Sequence, residues 1–349
     1  MVHGSIYAVY DHQSGPRGDS KWFSASELML QGRRDLAGGV FALRTMLSLD
    51  PLGGRSGYPL LFQTGETANG RDPLVDRQHP HDLFMELAAS YSFPVTDSAS
   101  IFLYGGPVGE PALGPVAFVH RASSIGNPEA PIGHHWLDAT HITSGVVTLG
   151  GIYRNAKLEG SVFHGRESDQ NRYDFDTGAL DSWSTRLTVN PSSDLSAQVS
   201  HGHIRSPEQL EPDVDVNRTT ASASWNTSFL DRLWFSTLAW GRNQPTGGHR
   251  SSNAWLLESS VKISSERTVF ARYENVDKTE LFGEGDPLAG RSFNINKVSV
   301  GTMQTVGRYE HYSVGVGGLV SLYATPRSMD ATYGSNPWSA MVFARVGLF

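Results

Sequence analysis

Residues 82–106 read DLFMELAASYSFPVTDSASIFLYGG. Taking every second residue puts Leu83, Met85, Leu87, Ala89 and Tyr91 on one face, and Asp82, Phe84, Glu86, Ala88 and Ser90 on the other. A period of two is that of a β-strand with one apolar side. The turn-like FPVTDS at 93–98 follows, and a second strand returns over 98–106. The stretch therefore reads as a hairpin with one greasy surface.

The same pattern recurs along the chain, at 2–10, 22–32, 37–49, 82–92, 98–106, 143–152, 156–165, 181–190, 194–203, 216–228, 232–242, 252–264, 267–276, 294–307, 309–323 and 338–349. That makes about sixteen strands of roughly ten residues, the length a tilted strand needs to cross a bilayer core. Connections alternate between short, such as RNA at 154–156, NPSSD at 190–194 and SSER at 264–267, and long and polar, at 11–21, 50–81, 107–142, 166–180, 204–215, 243–251, 277–293 and 324–337. Segregation of loop length is the layout of a membrane barrel with short periplasmic turns and long external loops. A soluble sandwich has no reason for it.

Composition agrees. Of 349 residues, 39% are hydrophobic, 18% are charged and 37 are Gly, with no apolar run near the roughly 18 residues a transmembrane helix requires. A net charge of −7 argues against nucleic acid as a partner. With no cysteine, disulfides and thiolate metal sites are excluded. The start MVHGSIYAVY has neither a basic nor a long apolar region, so a secreted chain of this kind is expected to have lost its signal peptide already.

The faces of individual strands support a lipid-and-lumen reading. Trp183, Thr185, Leu187 and Val189 oppose Ser182, Ser184, Arg186 and Thr188; Trp255, Leu257, Val261 and Ile263 oppose Glu258, Ser260 and Lys262. Trp22, Tyr91, Trp183, Trp225, Trp234, Trp240, Tyr323 and Trp338 fall near strand ends, where interfacial aromatic girdles form. The chain closes on MVFARVGLF. That ending, with terminal Phe349, resembles the last strand of bacterial outer-membrane proteins, although Gly347 and Arg345 stand where those proteins are usually apolar.

By layout the whole chain, 1–349, resembles a bacterial outer-membrane β-barrel of porin size: one all-β, antiparallel transmembrane domain of about sixteen strands. The stretches LVDRQHPHDLFMELAASYS, PVGEPALGPVAFVHR, APIGHHWLDATHITSGVVTLG and RYDFDTGALDSWSTRLTVNPS are also similar to a group of barrels associated with heavy-metal resistance. The porin resemblance implies residence in the bacterial outer membrane among its lipids, passive diffusion of small hydrophilic solutes or ions, no enzymatic activity, and association into a homotrimer. It also implies that 107–142, the long loop after the fifth strand, folds inward as a constriction. That loop carries Pro107, Pro111, Pro115, Pro128 and Pro131, and its apolar Val116, Ala117, Phe118 and Val119 need burial.

Candidate pore and constriction residues are His120, Arg121, Glu86, Arg44, Arg186, Arg272, Glu258 and Lys297, a mixed-sign set that gives modest ion preference. His79, His81, Asp82, His134, His135 and His141 offer imidazole and carboxylate donors suited to Zn²⁺ or Cu²⁺, though no cofactor is required. Asp174, Asp176, Gly178 and Asp181 resemble a calcium loop without its terminal Glu. The competing readings are a metal-binding barrel and a hydrolase at the barrel rim; no G-x-S-x-G elbow supports the latter.

Overall fold

Alternating faces and short turns leave the strands one way to satisfy every backbone group beside lipid, which is to close on themselves. The computed structural model, which describes residues 1–349, contains β1 (Val2–Gln13), β2 (Ser20–Leu36), β3 (Gly39–Leu47), β4 (Tyr58–Thr67), β5 (Pro73–Gln78), β6 (Phe84–Thr96), β7 (Ala99–Gly109), β8 (Thr143–Tyr153) and β9 (Ala156–Phe163). Beyond these lie β10 (Ser182–Val189), β11 (Leu195–Ile204), β12 (Val216–Phe229), β13 (Arg232–Pro245), β14 (Ser252–Lys262), β15 (Arg267–Lys278), β16 (Phe293–Arg308), β17 (Tyr312–Ala324) and β18 (Trp338–Leu348). All except β4 and β5 form one closed antiparallel barrel of sixteen strands. Pairing of Gly4 with Leu348 and of Ser5 with Glu27 seals β1 between β18 and β2.

Both chain ends and the tight turns lie at one rim. Two of those turns place consecutive residues at left-handed φ, Ala37 (48°) with Gly38 (81°) and Leu230 (50°) with Asp231 (58°), as two-residue hairpins require. Trp225, Trp234 and Tyr91 sit toward this short-turn rim, and Trp22, Trp183, Trp240 and Trp338 toward the long-loop rim. At the latter rim, Tyr10 lies 5.3 Å from Trp22 and Trp240 lies 6.1 Å from Trp255, centroid to centroid.

Three local expectations are corrected. Tyr323 does not belong to a girdle: it is buried inside the barrel, 5.1 Å from Phe62. Met85 faces inward with Met29 and Met46 rather than toward lipid, because it is the extra residue of a bulge where β6 passes from pairing Leu47 with Phe84 to pairing Met46 with Glu86. Residues 50–81 are not a plain polar loop; β4 and β5 make a separate hairpin there, with Leu60, Leu61 and Phe62 almost wholly buried. The run YPLLF at 58–62 drives that burial, since a loop this apolar gains by leaving water.

Candidate functional site

Between β7 and β8 the chain has only short helical turns of its own, and its four prolines each remove a donor. Its backbone is satisfied by the barrel wall. The Ala112 and Gly114 amides donate to Ser161 Oγ (2.8 Å) and Ser200 Oγ (2.9 Å), the Gly133 amide to Glu274 Oε1 (3.1 Å), and the Trp136 indole to Ser252 Oγ (2.8 Å). Those partners stand on β9, β11, β15 and β14, so residues 110–142 run through the interior and along the wall away from β7. Phe118, Ile132, Trp136 and Leu137 join a buried apolar cluster with Leu256, Ile295, Tyr323 and Phe343. One side of the barrel is thus packed like a soluble core.

Charge fixes the same loop. Arg121 donates to Asp138 Oδ2 (2.6 Å) and Glu258 Oε1 (2.7 Å), while Glu258 Oε2 accepts from Arg272 (2.9 Å). Arg272 also donates to the Glu129 carbonyl (2.8 Å), and Lys297 reaches the Glu129 carboxylate (2.7 Å). Arg121, Glu258, Arg272 and Lys297 therefore meet in one buried network with the loop. Arg44 pairs with Glu86 (2.6 Å) and Arg186 with Glu159 (3.1 Å) on another part of the wall, and His120 Nε2 sits 3.0 Å from Met46 Sδ. The anchor that sequence reading missed is Glu129, one acidic residue in an irregular loop with no periodicity to mark it.

On the unpacked side lie three cavities that share lining residues. An inner chamber of ≈ 680 Å³ is lined by residues that include Arg44, Glu86, Lys157, Glu159, Arg186 and His141. An outer cleft of ≈ 340 Å³ lies beside Arg172. Between them, a neck of ≈ 20 Å³ is lined by His79, His81, His134, His141 and Arg172 among others. His141 borders both neck and chamber, and Arg172 both neck and cleft.

The neck imidazoles are held by their neighbours. His79 pairs with Glu66 (3.1 Å), His81 with Asp50 (2.9 Å), His134 with Asp138 (2.8 Å), and His141 Nδ1 with the Asp138 carbonyl (2.8 Å). Arg172 bridges Glu66 and Asp82. Burial pushes His79 and His141 well below the usual histidine range and takes His134 down to about 4 against the pull of Asp138. His120 falls to about 4, through burial and then through His3 and Arg44. Burial alone would raise Asp138, but Arg121 and His134 hold it well below the usual carboxylate range.

Loop packing depends on pH. These histidines bind protons more readily when the loop is released, so loop packing is complete above an unfolded pKa of about 6.5 and weakens as pH falls toward about 4. Hydrogen-exchange protection factors across residues 118–141, corrected for the intrinsic pH dependence of exchange, should fall over that interval and stay flat above it. Equal protection at pH 4 and pH 8 would contradict the burial of neutral imidazoles.

Of the six metal-donor candidates, His79, His81, His134 and His141 gather at the neck, with ring centroids 5.2–6.3 Å apart for the close pairs. Asp82 is taken by Arg172 (3.2 Å). His135 turns instead toward Glu208 (3.8 Å) and Glu167, and one donor atom from each of these three lies within 4.8 Å of the others. Asp174 and Asp176 converge with Asp169, whereas Asp181 accepts from the Gly165 amide. Glu66, Glu167 with Arg172, and Glu208 come from three separate long loops, and nothing in their spacing announced the meeting.

Comparison with solved structures shows barrels of the same size. An anion-selective porin from Comamonas acidovorans superposes with a TM-score of 0.60 at 12% identity, over 99% of this chain and 100% of that one. OmpF of Salmonella typhi gives 0.58 at 7% identity, over 99% and 97%. The trimer form of OmpT, an outer-membrane protein of Vibrio cholerae, gives 0.56 at 9% identity, over 99% of both chains. At these identities the likeness is one of fold. No family model matches the chain, and no curated protein matches it.

Proposed function

We propose that this barrel is a bacterial outer-membrane channel passing small hydrophilic solutes or ions by passive diffusion, with residues 110–142 as its constriction. The observation that carries the reading is the series of cleft, neck and chamber, joined through Arg172 and His141 inside a closed barrel. A neck of ≈ 20 Å³ holds about one water, so larger solutes pass only when the loop yields. The fold relatives named as porins agree with conduction. A further fold relative, the trimer form of OmpT, supports reading the barrel as a homotrimer, which cross-linking in detergent would test.

Selectivity should be weak. The chamber wall offers Arg44, Lys157 and Arg186 against Glu86, Glu110 and Glu159, three of each sign, largely paired with one another. Reversal potential across a KCl gradient should lie near zero for the parent protein. Glu159→Gln unpairs Lys157 and leaves Arg186 with Glu110 alone, removing one negative charge from the wall, and should move it toward anion preference. A strongly ion-selective parent, or no shift in the variant, would refute this reading of the chamber. A rim hydrolase finds less support: Ser20 Oγ meets His12 Nδ1 at 2.8 Å, but no carboxylate orients that ring.

A further inference from the structure

We infer that His135, Glu167 and Glu208 form a binding site for a divalent transition-metal ion at the long-loop mouth of the barrel. The inference does not depend on whether the barrel conducts. Three observations carry it. A ring nitrogen of His135 and a carboxylate oxygen from each of Glu167 and Glu208 lie within 4.8 Å of one another. His135 is only 6% exposed, yet its Nε2 has no hydrogen-bond partner, and neither has the buried Oε2 of Glu167. Neither Glu167 nor Glu208 is salt-bridged to lysine or arginine; the nearby Arg172 is spent on Glu66 and Asp82, and buried Arg218, whose Nε bonds the neutral Asn243, acts on the two glutamates only at longer range.

Two carboxylates aimed at one imidazole repel each other in a partly dehydrated place, and buried Arg218, which salt-bridges neither of them, offsets that repulsion only in part. A divalent ion removes that repulsion and gives the unpartnered Glu167 Oε2 a partner, beside the imidazole that faces Glu208 through Nδ1. The site is also held open in advance. Asn243 donates to the His135 carbonyl (3.0 Å), the Glu66 amide to Glu208 Oε2 (3.2 Å), and the Glu167 amide to the Pro207 carbonyl (3.0 Å). The His135 ring packs so closely on Gly65 that a Cβ there would stand 2.2 Å from its Cε1. One nitrogen with two oxygens suits Zn²⁺, Co²⁺ or Ni²⁺; Cu⁺ prefers sulfur, and Ca²⁺ and Mg²⁺ want oxygen alone. The donors come from three different loops, so the ion would clasp the mouth together.

The test titrates the refolded full-length chain with Zn²⁺ by calorimetry and with Co²⁺ by visible absorption. One ion per chain is expected, weakened at least tenfold by His135→Ala, by Glu208→Gln, and by Gly65→Ala, which displaces the ring while keeping every donor. Because a variant can fail to refold, hydrogen exchange on the parent protein gives an independent reading: Zn²⁺ should protect residues 133–136, 165–168 and 206–209 together. Failure of the parent to bind either ion, binding indifferent to these variants, binding lost in His81→Ala but kept in His135→Ala, or no joint protection would each overturn the site.

Discussion

Replacing Arg121 with alanine should release residues 110–142 from the barrel wall and raise single-channel conductance several-fold. The guanidinium is almost wholly buried and joins Asp138, within the loop, to Glu258 on β14. Taking one member from a buried charge network leaves its partners short of compensation, at a cost of about 3–5 kcal/mol. Here the lower figure applies, since Glu258 keeps Arg272 at 2.9 Å and Asp138 keeps His134 at 2.8 Å. The barrel's own ladder of strands is untouched by the change, so heat-modifiable gel mobility should stay as in the parent protein. Arg121→Lys restores the charge but cannot bond two carboxylates in the same fork, and should give an intermediate conductance. Unchanged conductance in Arg121→Ala would mean that the loop does not limit flow.

A wedge at Gly241 should have a comparable effect by a different route. Gly241 faces inward on β13, and a Cβ there would stand 2.2 Å from the Trp136 carbonyl oxygen. Gly241→Leu keeps every loop charge and every loop donor, yet the short helical turn at His134–Leu137 can no longer lie against the wall. Overpacking of this kind costs roughly 1–3 kcal/mol where the surroundings can shift, and more where they cannot. Loop expulsion should raise conductance and quench the buried character of Trp136 fluorescence, now bonded to Ser252 Oγ at 2.8 Å. An unshifted Trp136 emission with normal conductance would show that the helical turn is not pressed against β13 as described.

The barrel was legible because lipid imposes its own arithmetic on sequence. Trp255, Leu257 and Val261 alternate with Glu258 and Ser260 since one neighbour meets hydrocarbon and the next meets lumen or loop. Parity misled only where something local broke it. A bulge turned Met85 inward, and Tyr323 was placed by its nearness to a strand end although its phase matches inward-facing Ser321. Inside the barrel, His79, His81, His134 and His141 were legible as a cluster because two consecutive long loops bring them to one rim. Glu129, Glu66, Glu167 and Glu208 were not, for irregular backbone has no period and their partnerships depend on how four loops fold over one another.

Conduction itself decides the functional reading. Refolded protein in planar bilayers should show small, steady unit conductance with weak ion preference, rising when residues 110–142 are dislodged by Arg121→Ala or Gly241→Leu. A parent barrel and loop variants that all stay at the conductance of bare lipid would contradict a channel, and leave a closed barrel whose loops do something other than limit flow.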